Sequence, residues 1–433
     1  MLCLALLAGS AQAAPPLPNV ILISVDALRP DHMSCYGYPR LTTRNLDKLS
    51  ARGVNFMDAT SLIPLTTPSL STLFASRPPA LTGSTRNGLA LVSGNETLPQ
   101  ILRRSGYTTA AVVSEWPLHG ARSGLEESFD VYNDRLMRKY YLGPKVQRDA
   151  RWVTRQAQKL FVTPDAQPAP FRPELTVEGP LPAPFFLWLH YADPHRPHHT
   201  QLDFSFPHPP GDDSKPTRVR DRYDSEVAHA DRWIGVLLDD LQAQGLLDNS
   251  LVIILSDHGE GLGEHFFFGH GRRLYQNILH IPLILAGPNL PPGKRISAPV
   301  QMLDIAPTVL AYLGLPKGAG MEGRSLLAAI EKDQAPPPEP MFFETYGTAV
   351  PGIPGLKKHE AKAGPVAVGM RLGPSKITYS FRFNTWEFYN LDQDPHEDHN
   401  LFDPANPEVR VLADQLRQWY QSRNSPGPAV PGL

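Results

Sequence analysis

Five short runs of the chain, residues 20–25, 108–113, 185–190, 251–256 and 281–286, are almost continuously apolar. They do not alternate polar with apolar, so they predict strands covered on both faces, as in a parallel sheet between helical layers. The stretches between them carry helical periodicity. Residues 223–244 place Val227, Ala230, Ile234, Leu237, Leu238 and Leu241 on one face, and Gly245 follows as a left-handed stop. Thr97 predicts the cap of a helix that stops near Gly106, and residues 304–313 predict another helix.

Two regions break this rhythm. Residues 123–183 read as an insertion, with a charged helical stretch at 147–161 and then a Pro-rich loop. From about residue 340 the pattern becomes strands at 366–372, 376–383 and 386–390, then a helix at 407–422, which predicts a small α+β subdomain. The expected organisation is a main α/β domain over 18–339 and a C-terminal subdomain over 340–433. Residues 1–14, MLCLALLAGSAQAA, end an apolar run in Ala11-Gln12-Ala13, the small-residue pattern of a cleaved leader, although no positively charged n-region precedes it. A signal peptide over 1–13 and a periplasmic or secreted location are the expectation. Its cleavage would remove Cys3 and leave Cys35, read here as a packing residue.

Composition narrows the partners. Lys and Arg number 41 against 43 Asp and Glu, a net charge of −2, which gives no basic surplus for nucleic acid. No later segment is apolar for long enough to form a membrane-spanning helix. The 46 prolines are dispersed and predict long irregular connections.

Polar residues gather where strands end. Asp26 follows the run at 20–25, Asp193 and His195 follow the run at 185–190, and Asp257 and His258 follow the run at 251–256. In open α/β sheets ligands bind outside the carboxyl ends of strands, so three strands deliver carboxylate or imidazole to one edge. A lone Asp there is commonly a turn cap; three strands together point to a divalent metal. Asp, Asp and His suit Ca²⁺ or Mn²⁺ foremost, and also Mg²⁺ or Zn²⁺. A second element is Pro64-Leu65-Thr66-Thr67-Pro68-Ser69. Pro68 fits the first turn of a helix and a Thr before it fits the N-cap, where free N–H groups would favour an anion. A hydroxyl there, beside a dication, could attack phosphorus or sulfur.

These motifs, in this order, resemble the sulfatase family of the alkaline-phosphatase-like superfamily. The resemblance rests on residues 19–38, on Thr66-Thr67-Pro68-Ser69 at the family's Cys-x-Pro-Ser-Arg signature, and on His190-Tyr191-Ala192-Asp193-Pro194-His195. It continues through Ser256-Asp257-His258-Gly259-Glu260, His270-Gly271-Arg272, Asp304-Ile305-Ala306-Pro307-Thr308 and Gly323-Arg324-Ser325-Leu326 to 388–401. It implies an alkaline-phosphatase-like, mostly parallel sheet sandwiched by helices, with a small C-terminal α+β subdomain. It also implies metal ligation by Asp26, Asp257 and His258, with Thr66 as nucleophile touching the metal. His195 and His270 would bind the ester oxygens or protonate the leaving group, and His190 and Asp193 would support them.

The chain departs from the family at four positions. Thr66 replaces the Cys or Ser that becomes formylglycine, so no formylglycine is expected. Leu70 replaces the signature Arg, Ala27 replaces the second Asp of a common pair, and His258 stands where many sulfatases have Asn. Thr at the nucleophile position resembles lipoteichoic-acid synthases and phosphoethanolamine transferases, and the Asp-His pair resembles phosphonate monoester hydrolases. The expectation is metal-dependent hydrolysis of a sulfate, phosphate or phosphonate ester, on a small molecule, glycan or lipid, through Thr66. The rival readings are a phospho-group transferase and a non-catalytic module that binds anionic glycans or lipids.

Overall fold

The computed structural model describes residues 16–135, 147–162, 180–206, 208, 211–332, 334–348, 364–423 and 429–433. The leader read at 1–13 and most of the Pro-rich loop lie outside the described residues. The described strands, in chain order, are β1 (Asn19–Val25), β2 (Val54–Thr60), β3 (Thr108–Val113), β4 (Val131–Asn133), β5 (Phe185–Tyr191), β6 (Ser250–Leu255), β7 (Gly261–Leu262), β8 (Phe268–Gly269), β9 (His280–Ala286), β10 (Lys294–Ile296), β11 (Val300–Gln301), β12 (Met341–Thr345), β13 (Ala367–Leu372), β14 (Ser375–Ser380) and β15 (Thr385–Asn390).

One sheet holds the order β10-β2-β9-β6-β1-β5-β3-β4, with β11 also on β2. All five apolar runs are strands of it. The pairs β1–β5, β1–β6, β3–β5 and β3–β4 are parallel, while β9 runs antiparallel to both β2 and β6. The sheet is therefore mixed and mostly parallel. Every residue of β1, β5 and β6 is buried, at roughly 1.5–3 kcal/mol for each large aliphatic side chain. Alternate residues enter two separate cores. Leu22, Trp188 and Ile253 join one face with Leu70 and Phe74. Ile21, Ile23, Leu187 and Ile254 join the other with Val227, Ile234 and Leu241.

The helix read at 223–244 is longer, Lys215–Ala243, because Ser214 caps its start with a bond from the Thr217 N–H. Gly245 has φ +69° just beyond its end. Thr97 and Gln100 form a reciprocal capping box on the helix Leu98–Arg104. Inside the stretch read as an insertion, β4 closes one edge of the sheet, and the helix Ala150–Gln158 packs its Val153 and Ala157 into the second core. Cys35 packs against that core, and burial pushes its thiol up to about 12.

The strands β12-β13-β14-β15 form an antiparallel sheet, covered by the helix Pro407–Ser422 through Val409, Leu412 and Leu416. It is bound to the main domain beside the polar edge. The Thr345 hydroxyl donates to the Gly271 carbonyl (2.7 Å), and buried Lys376 donates to the Leu274 carbonyl (2.6 Å) while pairing with Glu397 (2.7 Å). Among the described residues no helix is long and apolar enough to cross a membrane.

Candidate active site

β1 and β6 are adjacent and parallel, so Asp26 and Asp257 emerge side by side at their carboxyl ends. Their turns are locked together. The Ala27 N–H donates to Asp257 Oδ1 (3.2 Å), the Leu28 N–H donates to Ser256 Oγ (2.9 Å), and the Ser256 hydroxyl reaches the Val25 carbonyl (2.7 Å). Ala27 takes φ +59°, a left-handed conformation that turns the chain sharply after Asp26. Gly259 lies against the Asn277 carbonyl, where a Cβ would collide with backbone.

One ligand atom each from Asp26, Asp257 and His258 falls within 4.8 Å of the others. His258 Nε2 is 3.6 Å from Asp26 Oδ1 and 3.4 Å from Asp257 Oδ2. Asp26 Oδ1 and Oδ2, Asp257 Oδ2 and His258 Nε2 are all buried without a hydrogen-bond partner. Such orphaned groups are costly unless something else satisfies them. The His258 Nδ1–H donates to the Gly259 carbonyl (2.9 Å), a tautomer assigned from the network, which leaves the Nε2 lone pair facing the carboxylates. Burial, and then the nearby Asp257 and Glu115 carboxylates, hold Asp26 well above the usual carboxylate range. Burial likewise pushes Asp257 up to about 6 and His258 down to about 3. The donor set fits a divalent cation: ionisable oxygens and a neutral imidazole converge with no other partner.

Thr66 opens the helix Thr66–Ala75, and its side chain is buried. The N-cap is Leu65, in extended conformation with no side-chain cap, rather than a threonine. Pro68 shifts the start forward: it sits in the third helical position, still within the turn whose N–H groups have no helical partner. The Thr67 N–H is taken instead by Asn87 Oδ1 (3.0 Å), and the Thr67 hydroxyl donates to the Pro117 carbonyl (2.7 Å). On either side of Thr66, the Ser69 hydroxyl donates to the Asp257 carbonyl (2.6 Å) and the Pro64 carbonyl accepts from His270 Nδ1 (2.9 Å). These bonds fasten the helix start to the carboxylate edge.

His195 and His270 meet there. Their Nε2 atoms are 3.0 Å apart, and the His270 ring stacks on His258 with centroids 4.1 Å apart. Because His270 Nδ1–H is committed to Pro64, its Nε2 accepts from His195 Nε2–H. Gln147 reaches His195 Nδ1 (2.7 Å). Burial, then neighbouring His258, pushes His270 down to about 3, so it is neutral. His190 stands behind the site. Its Nδ1 meets Ser24 Oγ (2.7 Å), and its Nε2 meets Glu115 Oε1 (2.9 Å). Asp193 turns elsewhere and accepts the Ala150 N–H (2.7 Å) at the start of a helix.

The sequence reading missed Glu115. It is buried, and Asp26, Glu115 and His195 form a second cluster of ligand atoms within 4.8 Å of one another. Against burial, the hydrogen bond from His190 draws its carboxyl down to about 2. The signal was available: Glu115 lies two residues beyond β3, at the same edge as Asp26.

The sulfatase family model matches residues 18–315, and a model of the N-sulphoglucosamine sulphohydrolase C-terminal region matches residues 263–424. Two features thus agree on a class: a mostly parallel sheet with a polar edge, and a sulfuric ester hydrolase family pattern spanning both. The chain belongs to the sulfatase family. It is 25% identical over 435 residues to an ulvan-active sulfatase of Formosa agariphila, covering 94% of this chain and 80% of the relative. A solved structure in complex with its substrate D-glucosamine-2-N,6-O-disulfate aligns with TM-score 0.71 at 20% identity, over 95% of this chain and 99% of that one. The phosphonate monoester hydrolase of Silicibacter pomeroyi aligns with TM-score 0.68 at 19% identity, over 95% of this chain and 96% of that one. At these identities the structural likeness carries the fold alone, which is the alkaline-phosphatase-like α/β fold with a C-terminal sheet subdomain.

Proposed function

We infer that the chain hydrolyses sulfate esters through Thr66 at a metal centre formed by Asp26, Asp257 and His258. The observation that carries this reading is the convergence of those three unpartnered, buried ligands beside the helix start that bears Thr66. A divalent cation held there would lower the pKa of a bound hydroxyl and neutralise charge on the ester oxygens. Thr66 Oγ1 would give its hydroxyl proton to the neutral His195–His270 pair and attack sulfur, the bond to the departing alcohol would break, and a Thr66 sulfate ester would remain until water cleaves it. The proton so gained by the His195–His270 pair would then pass from His195 to the departing oxygen, which keeps the step balanced.

Phosphate diesters and phosphonate monoesters are the second substrate class. One observation favours them: Leu70, at the position of the signature Arg, is packed in the apolar core with Phe74 and Trp188 and supplies no charge to an ester. A sulfated glycan is the natural substrate class by likeness to the ulvan-active relative. An exported protein, periplasmic or secreted, would meet such a polymer, and the leader pattern at 1–13 supports that location.

The purified protein with Mn²⁺ or Ca²⁺ is assayed on an aryl sulfate, an aryl phosphate diester and an aryl phosphonate monoester. Turnover of the sulfate, lost by more than about a hundredfold in Thr66→Ala while metal stays bound, is the expected outcome. Undiminished turnover in Thr66→Ala would remove Thr66 from the chemistry. Bound metal with no turnover of any ester would favour a transferase lacking its acceptor or a binding module for anionic glycans or lipids.

A further inference from the structure

The polar edge holds more negative charge than one cation offsets. Asp26, Asp257 and Glu115 are all buried at this one edge. Three carboxylates meet around Asp26, and Glu260 acts on it as a fourth, so a single dication leaves the acidic groups of this edge under-neutralised. The groups acting on Asp26 are themselves carboxylates: Asp257, Glu115 and Glu260. The guanidinium of Arg196 acts on His270 at the same edge.

Glu115 is built into place as an anion. Trp188 Nε1–H donates to Ser24 Oγ (2.9 Å), Ser24 meets His190 Nδ1 (2.7 Å), and His190 Nε2 meets Glu115 Oε1 (2.9 Å). The chain of donors leaves His190 Nε2–H pointing at the carboxylate, and all four side chains are buried. On its other side Glu115 faces Asp26, and ligand atoms of Asp26, Glu115 and His195 lie within 4.8 Å of one another. That spread suits coordination around one small dication, whose metal–ligand bonds run about 2.0–2.6 Å. The independent sign is Asp26. Both of its oxygens are buried and neither has a hydrogen-bond partner, although one cation at Asp257 and His258 requires only one of them.

We propose that a second divalent cation binds between Asp26, Glu115 and His195, with Asp26 bridging it to the cation at Asp257 and His258. The proposal rests on the reading of that first centre as a metal site. A second dication adds two positive charges at this edge, which favours an anionic ester where Leu70 supplies none. The second ion would lie beside His195; a His195 that ligates it no longer passes a proton to the departing oxygen, and the ion would meet that oxygen in its place. Paired ions that clamp attacking and leaving oxygens are spaced about 3.5–4 Å apart. The Gln147 amide at His195 Nδ1 can offer its oxygen or its NH₂, so the imidazole can present Nε2 either as a donor or as a ligand.

The test is metal stoichiometry on the dialysed full chain, by elemental analysis and Mn²⁺ titration calorimetry, together with electron paramagnetic resonance of the Mn²⁺ form. The expected wild-type result is two Mn²⁺ per chain with an exchange-coupled spectrum. Glu115→Gln, nearly isosteric, keeps one Mn²⁺ and loses the coupling, with circular dichroism verifying the fold. Should it misfold, Glu115→Asp serves: it weakens the second binding event by at least about tenfold and leaves the first unchanged. One Mn²⁺ in the wild type, unaltered by Glu115→Gln, overturns the second site and leaves the first standing; Asp26 and Glu115 then share a proton. A second Mn²⁺ with no magnetic coupling also overturns it, because that ion lies elsewhere. No bound Mn²⁺, or content unchanged in Asp257→Asn, removes the first centre and the proposal with it.

Discussion

Lys376→Met tests how the C-terminal sheet governs the loop bearing His270. The Lys376 side chain is fully buried and lies 2.7 Å from Glu397 Oε1, itself buried. Its ammonium also donates to the Leu274 carbonyl (2.6 Å) and to Gln276 Oε1 (3.2 Å). Methionine fills similar volume but leaves Glu397 as a buried carboxylate whose remaining donor is the Gln276 N–H (2.5 Å). Removing one partner of a buried pair costs about 3–5 kcal/mol, and the deprived Leu274 carbonyl adds about 1 kcal/mol. That is a large part of a typical net stability of about 5–15 kcal/mol. The double variant Lys376→Met/Glu397→Gln removes both charges and keeps an acceptor for the Gln276 N–H, so it should recover to within about 2 kcal/mol of wild type. Urea unfolding followed by circular dichroism measures all three chains. Leu274 and Gln276 lie in the same loop as His270, so the single variant should also lose turnover at temperatures where it is still folded. A single-variant cost under about 1 kcal/mol, or a double variant no more stable than the single, would refute the argument.

Two further predictions concern stability alone. Burial pushes Glu226 up to about 9, with Asp193 and Glu260 acting in the same direction. A carboxyl raised above its unfolded value of about 4.3 is protonated in the fold where the unfolded chain is not. Its contribution is therefore full below pH 4 and is lost as pH rises toward 9, by up to about 1.4 kcal/mol per unit. Glu226→Gln should gain on wild type in melting temperature between pH 5 and pH 8, and an advantage that shrinks with pH would contradict the sign. Thr97→Ala breaks the capping box and the bond to Ser128 (3.0 Å), and should cost about 1–2 kcal/mol in urea unfolding; a loss below about 0.3 kcal/mol would deny the cap its role.

The strands that build the site were legible because both their faces are buried, which writes a continuous apolar run into the sequence. β2 was not legible. Its sequence, Val-Asn-Phe-Met-Asp-Ala-Thr, is half polar, its pairing with β9 shifts register between Phe56 and Ala59, and Asp58 is spent on an ion pair with Arg371. β4 is three residues long and gave no periodic signal within the segment read as an insertion. Asp26, Asp257 and His258 were legible because strand ends deliver them. Asp193 follows the same rule yet accepts the Ala150 N–H, while His190, the penultimate residue of β5, turns to Glu115 as the support expected of it.

Glu115 obeys the strand-end rule as well, two residues after β3. β3 pairs with β5, which pairs with β1, so the residues after β3 reach the edge that Asp26 occupies. Its arrival changes the chemistry expected there. The position of the family's signature Arg is apolar core in this chain, and a carboxylate is added beside Asp26 instead. Both differences move charge the same way: each makes the edge more negative than the family's signature would leave it. Substrate affinity should then follow metal loading more steeply than in a site whose own side chains carry the positive charge, because each dication withdrawn makes the edge more negative by two units.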